Sequence, residues 1–195
     1  MTGTIPTFQH GDAVLVVDPQ RDFSPGGSLA VPDGDTVMPV INAWIAAAAD
    51  AGVPVFVSRD WHPRRTTHFK AYGGIWPPHC VMGTPGAEFH PALHLSAHAE
   101  VFSKGMGETE DAYSAFHARD ERGVLLPNVI TERGVRHLFV LGLATDYCVR
   151  WTGLHAREAG LKVSIVRGGV GAVNLKPDDG DRALEELRGK GAEVL

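Results

Sequence analysis

Apolar runs of strand length recur along the chain and alternate with helix-like stretches. Five runs stand out: AVLVVD from Ala13, VPVFVSRD from Val53, AEVFSKG from Ala99, HLFVLGLA from His137 and KVSIVRGG from Lys162. Runs that are apolar almost throughout, rather than alternating with polar residues, are typical of strands buried on both faces. The pattern therefore predicts a buried parallel sheet.

The stretches between these runs predict helices. One begins near Asp35, a residue type that suits an N-cap, and continues through VMPVINAWIAAAADAG to a stop at Gly52. A second spans about Asp146 to Gly160, and a third, more exposed helix follows Pro177 before a short terminal strand, AEVL. Because parallel strands need long crossovers, this alternation predicts an α/β fold: a doubly wound, mostly parallel sheet with helices on both faces.

Length and composition narrow the picture. The 195 residues, 44% of them hydrophobic, predict a single domain over residues 1–195. The net charge of -5 comes from dispersed residues without a basic run, so we expect no nucleic-acid partner. No stretch approaches the roughly 20 apolar residues that span a bilayer, and no signal-peptide pattern is visible, which favours a cytoplasmic protein without a membrane partner. The two cysteines, Cys80 and Cys148, are expected to be reduced thiols.

Reactive residues follow the predicted strands at their carboxyl ends. Asp18 ends the first run, Asp60 and His62 follow the second, Lys104 ends the third, and Cys148 opens the helix after the fourth. Ligands of open parallel sheets bind at this edge. We therefore expect these side chains to converge on one site.

Three of these residues suit nucleophilic catalysis. Cys148 lies in the first turn of a predicted helix, where the helix dipole and a nearby Lys104 would favour a thiolate, and Asp18 could move a proton. Each has a plainer interpretation: a packed helical cysteine, a solvent-facing lysine and a turn carboxylate. Partial burial after an apolar strand would raise the pKa of Asp18 and suit it to proton transfer.

A loop region at about 60–97 breaks the strand and helix rhythm with five prolines and five histidines. Its Asp60, His62, His68 and His79 suit a divalent transition metal, with zinc, iron and manganese all open, although each histidine taken alone could be an ordinary loop residue. The set His90, His94 and His98 recurs every fourth residue and could line a helix face, but no carboxylate supports a metal role there. Cys80, next to His79, is interpreted as core packing or as a thiol behind the metal ligands, and not as a catalytic residue.

The segments VVDPQRDFSPGGSLAVPDGD, SRDWHPRRTTHF, WPPHCVMGTPGAEFHP, VFSKG and GLATDYCVRWT together resemble the nicotinamidase (pyrazinamidase) branch of the isochorismatase-like cysteine hydrolases. The resemblance spans most of the chain in order. It implies that Cys148 is the nucleophile, Asp18 its proton-transferring partner and Lys104 their electrostatic support. It also implies that Asp60, His62, His68 and His79, the donor set of the 60–97 loop, bind the metal. The implied reaction is hydrolysis of a ring carboxamide through a thioester.

The resemblance further implies a cis peptide between Leu143 and Ala144 and an oxyanion hole formed by the backbone N–H groups of Ala144 and Cys148. It places Phe23, Trp76 and Tyr113 around the flat ring, although each could be core packing. A homo-oligomer is possible. Tyr147 departs from relatives that carry histidine, which could shift substrate preference.

Two other functions compete. A related hydrolase of this fold could act on an N-carbamoyl compound or another small amide, and the metal donor set argues against it. A binding or interaction protein could also keep the fold without catalysis, and the intact Asp18, Lys104 and Cys148 argue against that.

Overall fold

The computed structural model describes residues 5–110 and 113–195, which contain one six-stranded sheet. The strand order is β3-β2-β1-β4-β5-β6, and every neighbouring pair is parallel. The strands are β1 (Asp12–Val17), β2 (Val55–Asp60), β3 (Glu100–Lys104), β4 (His137–Leu143), β5 (Lys162–Gly171) and β6 (Glu193–Val194). The predicted fold class is confirmed, with a sheet that is parallel throughout.

Helices cover both faces of the sheet because successive side chains of each strand point to opposite sides. They are α1 (Met38–Asp50), α2 (Leu126–Glu132), α3 (Arg150–Glu158) and α4 (Asp179–Gly189). In β1, Val14 and Val16 join the core beneath α1, whereas Leu15 joins the core beneath the other helices. Within the described ranges, no helix combines the length and apolar character of a membrane span.

The structure differs from the sequence interpretation at three local features. The first helix begins at Met38 with Val37 as its N-cap, so Asp35 does not cap it. The seven-residue helix α2 was not predicted, because Pro127 opens it and it is too short to show a clear apolar period. Residues 90–99 form turns and irregular chain instead of a helix, so His90, His94 and His98 share no helical face.

The strand order reverses between β1 and β4, and this is where the chemistry of the chain meets. In doubly wound sheets, the loops that leave the two strands at such a point diverge and open a crevice. Asp18 directly follows β1, and the turn that carries Cys148 directly follows β4. The topology therefore brings together two residues that are 130 positions apart in sequence.

Gly142 permits the close pairing of β4 with β1 beside this crevice. Its φ is +115°, and a Cβ atom there would lie 2.0 Å from the carbonyl oxygen of Val17. We expect Gly142→Ala to lower the free energy of unfolding by roughly 3 kcal/mol, through backbone strain and overpacking. Urea denaturation measures the change.

The matched control is Gly189→Ala at the end of α4, where a Cβ would meet nothing within 4 Å. This substitution should leave stability unchanged or slightly raised, since alanine favours helix. Equal stabilities of the two variants would contradict the close-approach argument.

Candidate active site

A buried lysine is surrounded by the reactive residues of three neighbouring strand ends. The Nζ of Lys104 lies 2.7 Å from Oδ2 of Asp18, 2.5 Å from Oδ1 of Asp60 and 3.6 Å from Sγ of Cys148. Lys104 and Asp18 are completely buried, and Asp60 is 3% exposed. The solvent-facing interpretation of Lys104 is therefore excluded, and the predicted convergence of these four residues is observed.

The two carboxyl groups beside the ammonium have different acidities. Burial raises the pKa of Asp18 to about 6 even though Lys104 and a hydrogen bond from Ser58 lower it. Burial acts in the same direction on Asp60, but Lys104 and His62 outweigh it and hold the pKa of Asp60 below its usual range. At neutral pH, Asp60 is thus a fixed anion, whereas Asp18 is able to exchange a proton.

Cys148 lies in a π-helical turn, Thr145–Val149, that continues into α3. Burial raises the pKa of its thiol well above the usual value, and Lys104 only partly opposes this. The direction of this shift opposes the resting thiolate expected from the sequence, because desolvation outweighs the nearby cation. A carboxyl oxygen of Asp18 lies within 4.8 Å of Sγ of Cys148, and an oxygen of Asp60 lies within the same distance of both. Asp18 is therefore placed to act as the base that deprotonates the thiol when it attacks.

Two imidazoles lie near the other oxygen of Asp60, and a third lies beside them. The ligand nitrogens of His62, His68 and His79 all lie within 4.8 Å of one another. Oδ2 of Asp60 is 3.6 Å from Nε2 of His62 and 3.8 Å from Nε2 of His79. The structure therefore brings together all four residues of the predicted donor set.

The hydrogen bonds of the set prepare it for a cation. Nδ1 of His62 lies 3.1 Å from the carbonyl of Gly105, and Nδ1 of His79 lies 2.8 Å from that of Pro77. These bonds assign the ring proton to Nδ1 and leave the Nε2 lone pairs facing inward. Among the described residues, the buried Nε2 of His62 has no hydrogen-bond partner. An unpaired buried nitrogen is costly, and a metal ion fits it.

Two of the imidazoles also favour their neutral, ligating form. Burial, followed by the neighbouring His62, lowers the pKa of His68 to about 4. Burial lowers the pKa of His79 as well, against the opposing effect of Asp60. Metal ligation needs neutral imidazole, so His68 and His79 are in the required protonation state at neutral pH.

An apolar, aromatic cavity lies between the thiol and the imidazoles. Its volume is about 30 Å³, so the lining side chains leave only a narrow space between them. Nε1 of Trp76 donates a hydrogen bond of 2.8 Å to the hydroxyl of Tyr113. The lining residues are Phe23, Leu29, Asp60, His68, Trp76, His79, Tyr113, Ala144, Tyr147, Cys148 and Val173.

The three predicted aromatic residues all belong to this lining, and Tyr147 completes it with its ring 5.0 Å from that of Trp76. The predicted cis peptide between Leu143 and Ala144 is also observed. Ala144 then precedes the turn of Cys148 in an extended conformation. The rim of the cavity thus carries the thiol, three of the four donor residues (Asp60, His68 and His79) and the residues predicted to hold an oxyanion.

Sequence reasoning missed the residue that holds Asp60. Gln20 is completely buried, and its Nε2 donates to the carbonyl oxygens of Asp60 at 2.7 Å and Ala87 at 2.9 Å. Its Oε1 accepts the N–H of Asp60 at 2.7 Å. The only signal in the sequence is that Gln20 lies two residues after Asp18, which does not reveal a partner 40 positions away.

The model of the Isochorismatase domain matches residues 12–195 of the chain. The chain belongs to the isochorismatase family. This assignment confirms the resemblance on which the sequence analysis relied.

Relatives within the isochorismatase family cover almost the whole chain. Nicotinamidase/pyrazinamidase of Mycobacterium tuberculosis is 41% identical, over 94% of this chain and 97% of its own. Nicotinamidase of Escherichia coli K12 is 39% identical, over 92% of each chain. The structure of Pyrococcus horikoshii pyrazinamidase in complex with zinc superposes with a TM-score of 0.87 at 40% identity, over 95% of this chain and 98% of its own. Sequence identity and structural similarity therefore both relate the chain to the nicotinamidases and pyrazinamidases of the isochorismatase family.

Lys104 should be essential for stability in this isochorismatase-family protein. In metal-free protein at pH 8, we expect Lys104→Met to lower the free energy of unfolding by about 3–5 kcal/mol, because two buried carboxylates lose their cation. The deficit should shrink toward pH 5. Lys104 lowers the pKa of both carboxyl groups, so without it they take up protons at higher pH and shed the uncompensated charge.

Urea denaturation at pH 5, 6.5 and 8 measures this deficit. The control is Lys162→Met, which removes a half-exposed lysine 3.2 Å from Glu193 and should change stability little. A deficit for Lys104→Met that is constant from pH 5 to pH 8 would contradict the electrostatic explanation.

Proposed function

We propose that this protein is a metal-dependent cysteine amidohydrolase that converts nicotinamide to nicotinic acid and ammonia, and also pyrazinamide to pyrazinoic acid. The observation that carries the proposal is the shared cavity. One aromatic-lined space is bordered by Cys148, His68 and His79. Asp18 and Lys104 adjoin Cys148, and His62 adjoins the other two imidazoles. The names and coverage of the relatives support the same substrate class.

Asp60, His62, His68 and His79 would hold the metal. Imidazole and carboxylate ligands accept zinc, iron and manganese alike, so the donor set does not choose among them. The zinc complex of the Pyrococcus horikoshii relative supports a divalent ion. When bound, such an ion supplies a positive charge and open positions for water or for a ring nitrogen.

The aromatic lining would bind the substrate ring. Phe23, Trp76 and Tyr113 offer apolar faces on which a flat heteroaromatic ring can stack. The Trp76–Tyr113 hydrogen bond fixes the relative orientation of two of these side chains. A ring held among them would direct its carboxamide toward Cys148.

The first half of the reaction forms a thioester. Asp18 removes the thiol proton as Sγ of Cys148 attacks the carboxamide carbon, and the carbonyl oxygen becomes an oxyanion. The backbone N–H groups of Ala144 and Cys148 would stabilise this oxyanion. The intermediate collapses when its carbon–nitrogen bond breaks and Asp18 returns the proton to the departing ammonia.

The second half releases the acid. A water molecule attacks the thioester carbon while Asp18 takes one of its protons. Collapse of this second intermediate breaks the carbon–sulfur bond and frees the carboxylic acid, and Asp18 returns the proton to Sγ. Lys104 stays protonated throughout, since burial works to lower its pKa but Asp18 and Asp60 raise it well above the usual value.

The same thiol would hydrolyse the rival substrates. An N-carbamoyl compound or another small amide would use the same attack, but it has no need of a ring-stacking lining or of the donor set. A binding protein without catalysis has no need of the base beside Cys148. The cytoplasmic location, the lack of a nucleic-acid partner, the single domain and a homo-oligomer stay predictions.

The central experiment measures ammonia release from nicotinamide. We expect release by purified protein, loss of release after treatment with a chelator, and recovery when zinc, iron or manganese is added back. A parallel panel of pyrazinamide and an N-carbamoyl amino acid separates the substrate classes. Release from the N-carbamoyl compound alone, unaffected by the chelator, would favour the rival hydrolase.

Two variants act as controls in this assay. Cys148→Ala should bind metal normally but release no ammonia, whereas His62→Ala should lose metal binding, as measured by metal analysis of the dialysed protein. Release by Cys148→Ala at the rate of the unmodified protein would eliminate the thioester mechanism.

The pH profile tests the role of Asp18. The value of kcat/KM for nicotinamide should form an acid limb near pH 6, the pKa of Asp18. Below this pH, kcat/KM should fall about tenfold per pH unit because Asp18 becomes protonated. Ser58→Ala removes a hydrogen bond that lowers this pKa, so its acid limb should move to higher pH. The control Ser164→Ala, in β5, should leave the limb in place, and an unmoved limb in Ser58→Ala would exclude Asp18 as the titrating base.

A further inference from the structure

A carboxylate outside the reactive cluster connects two of the loops that form the site. Asp22 lies in the 3-10 turn Arg21–Phe23, four residues after Asp18. Its Oδ2 accepts the backbone N–H of Cys80 at 2.7 Å, and its Oδ1 accepts the N–H of Ser28 at 3.1 Å. The side chain therefore joins the turn after β1 to the histidine loop on one side and to the 24–29 loop on the other.

The Cys80 contact bears directly on the donor set. Cys80 follows His79 and has a φ of +45°, a conformation that residues other than glycine seldom adopt without support. Its carbonyl oxygen accepts the N–H of His62 at 2.9 Å. The Asp22 hydrogen bond thus fixes the His79–Cys80 peptide, and the next carbonyl along the chain, that of Cys80, bonds to His62.

The fold reserves space for this carboxylate at Gly86. A Cβ atom at Gly86 would lie 2.2 Å from Oδ2 of Asp22 and 2.3 Å from Oδ1. No side chain fits at this position unless the carboxylate moves. A substitution at Gly86 therefore perturbs the same contact independently of a change at Asp22.

Asp22 also supports one wall of the cavity. Its carbonyl oxygen accepts the N–H of Leu29 at 3.0 Å, and the next residue is Phe23. Both Leu29 and Phe23 line the cavity, and the ring of Phe23 lies 5.6 Å from that of His79. The metal-facing and ring-facing parts of the site meet at this one residue.

We propose that Asp22 is a positioning residue that sets the His79 segment of the donor set and the Phe23 wall of the cavity. It touches neither the metal ligands' nitrogens nor the cavity, and it acts through Cys80 and Phe23. The inference rests on the metal site of the proposed function. Groups that orient metal ligands from behind typically change metal affinity when they are removed.

The first test is zinc binding by isothermal titration calorimetry on chelator-stripped protein. Asp22→Ala removes both hydrogen bonds and should weaken zinc binding roughly 10- to 100-fold, the range typical of such supporting groups. Asp22→Asn keeps one acceptor oxygen and should give an intermediate affinity. The visible absorption bands of the cobalt-substituted variants should change in shape, because a displaced His79 alters the ligand geometry.

The second test approaches the contact from Gly86. Gly86→Ala keeps the carboxylate but displaces it, and it should weaken zinc binding in the same direction as Asp22→Ala. The double variant Asp22→Ala/Gly86→Ala has room for the new methyl group, so it should bind zinc no more weakly than Asp22→Ala alone. Gly189→Ala, where a Cβ meets nothing within 4 Å, is the matched control and should bind zinc normally.

The outcomes separate this inference from the proposed function. If the unmodified protein binds no zinc, iron or manganese, the metal site of the proposed function fails. If the unmodified protein binds zinc and all the Asp22 and Gly86 variants bind it equally well with an unchanged cobalt spectrum, Asp22 is only a structural residue and the inference is overturned. Asp22→Asn, the mildest change, decides the matter if the alanine variants do not fold.

Discussion

The ammonium of Lys104 is the interaction on which the rest of the site depends. It lies at the end of the edge strand β3 and reaches the carboxyl groups that end β2 and follow β1, as well as the thiol after β4. A buried cation of this kind is tolerated only when anions surround it at hydrogen-bonding distance. The carboxylates in turn are tolerated only because of the cation, so neither partner can be removed without leaving an unpaired buried charge.

The two carboxyl groups that share this cation have different chemical roles. Asp60 has further support from the imidazoles and stays ionised, which suits it to a cation site. Asp18 has less support, so burial brings its pKa to about 6, and a group with that pKa can both accept and donate a proton near neutrality. Two identical side chains thus acquire different chemistry from their surroundings alone. The same burial keeps the thiol of Cys148 protonated until a base acts on it.

Backbone contacts hold these groups at their distances. Gln20 bonds to both backbone groups of Asp60, and Asp22 bonds to the peptide between His79 and Cys80. Both belong to the short turn after β1, which also carries Asp18 and Phe23. The turn therefore links the proton-transferring carboxyl group, the donor set and one wall of the cavity. A long loop without regular secondary structure is held in place by side-chain amide and carboxylate groups rather than by a sheet ladder.

The sequence by itself determined the layer structure, because unbroken apolar runs alternating with helical stretches allow few arrangements other than a doubly wound parallel sheet. It also determined which edge of the sheet carries the reactive residues, since Asp18, Asp60, Lys104 and Cys148 all come at strand ends. The sequence did not determine the short helix α2, the start of α1 or the irregular course of residues 90–99. Local patterns are weak where elements are short or where packing outweighs propensity.

Only the tertiary structure decided the protonation states and the supporting contacts. Whether Cys148 is a thiol or a thiolate depends on the balance between its burial and a lysine 44 positions away, and no local pattern reports that balance. The roles of Gln20, Ser58 and Asp22 likewise come from partners 40 to 58 positions distant for Gln20–Asp60, Ser58–Asp18 and Asp22–Cys80. Sequence periodicity records which face of an element is buried. Desolvation and hydrogen bonding depend on what lies opposite that face, and folding alone brings those partners together.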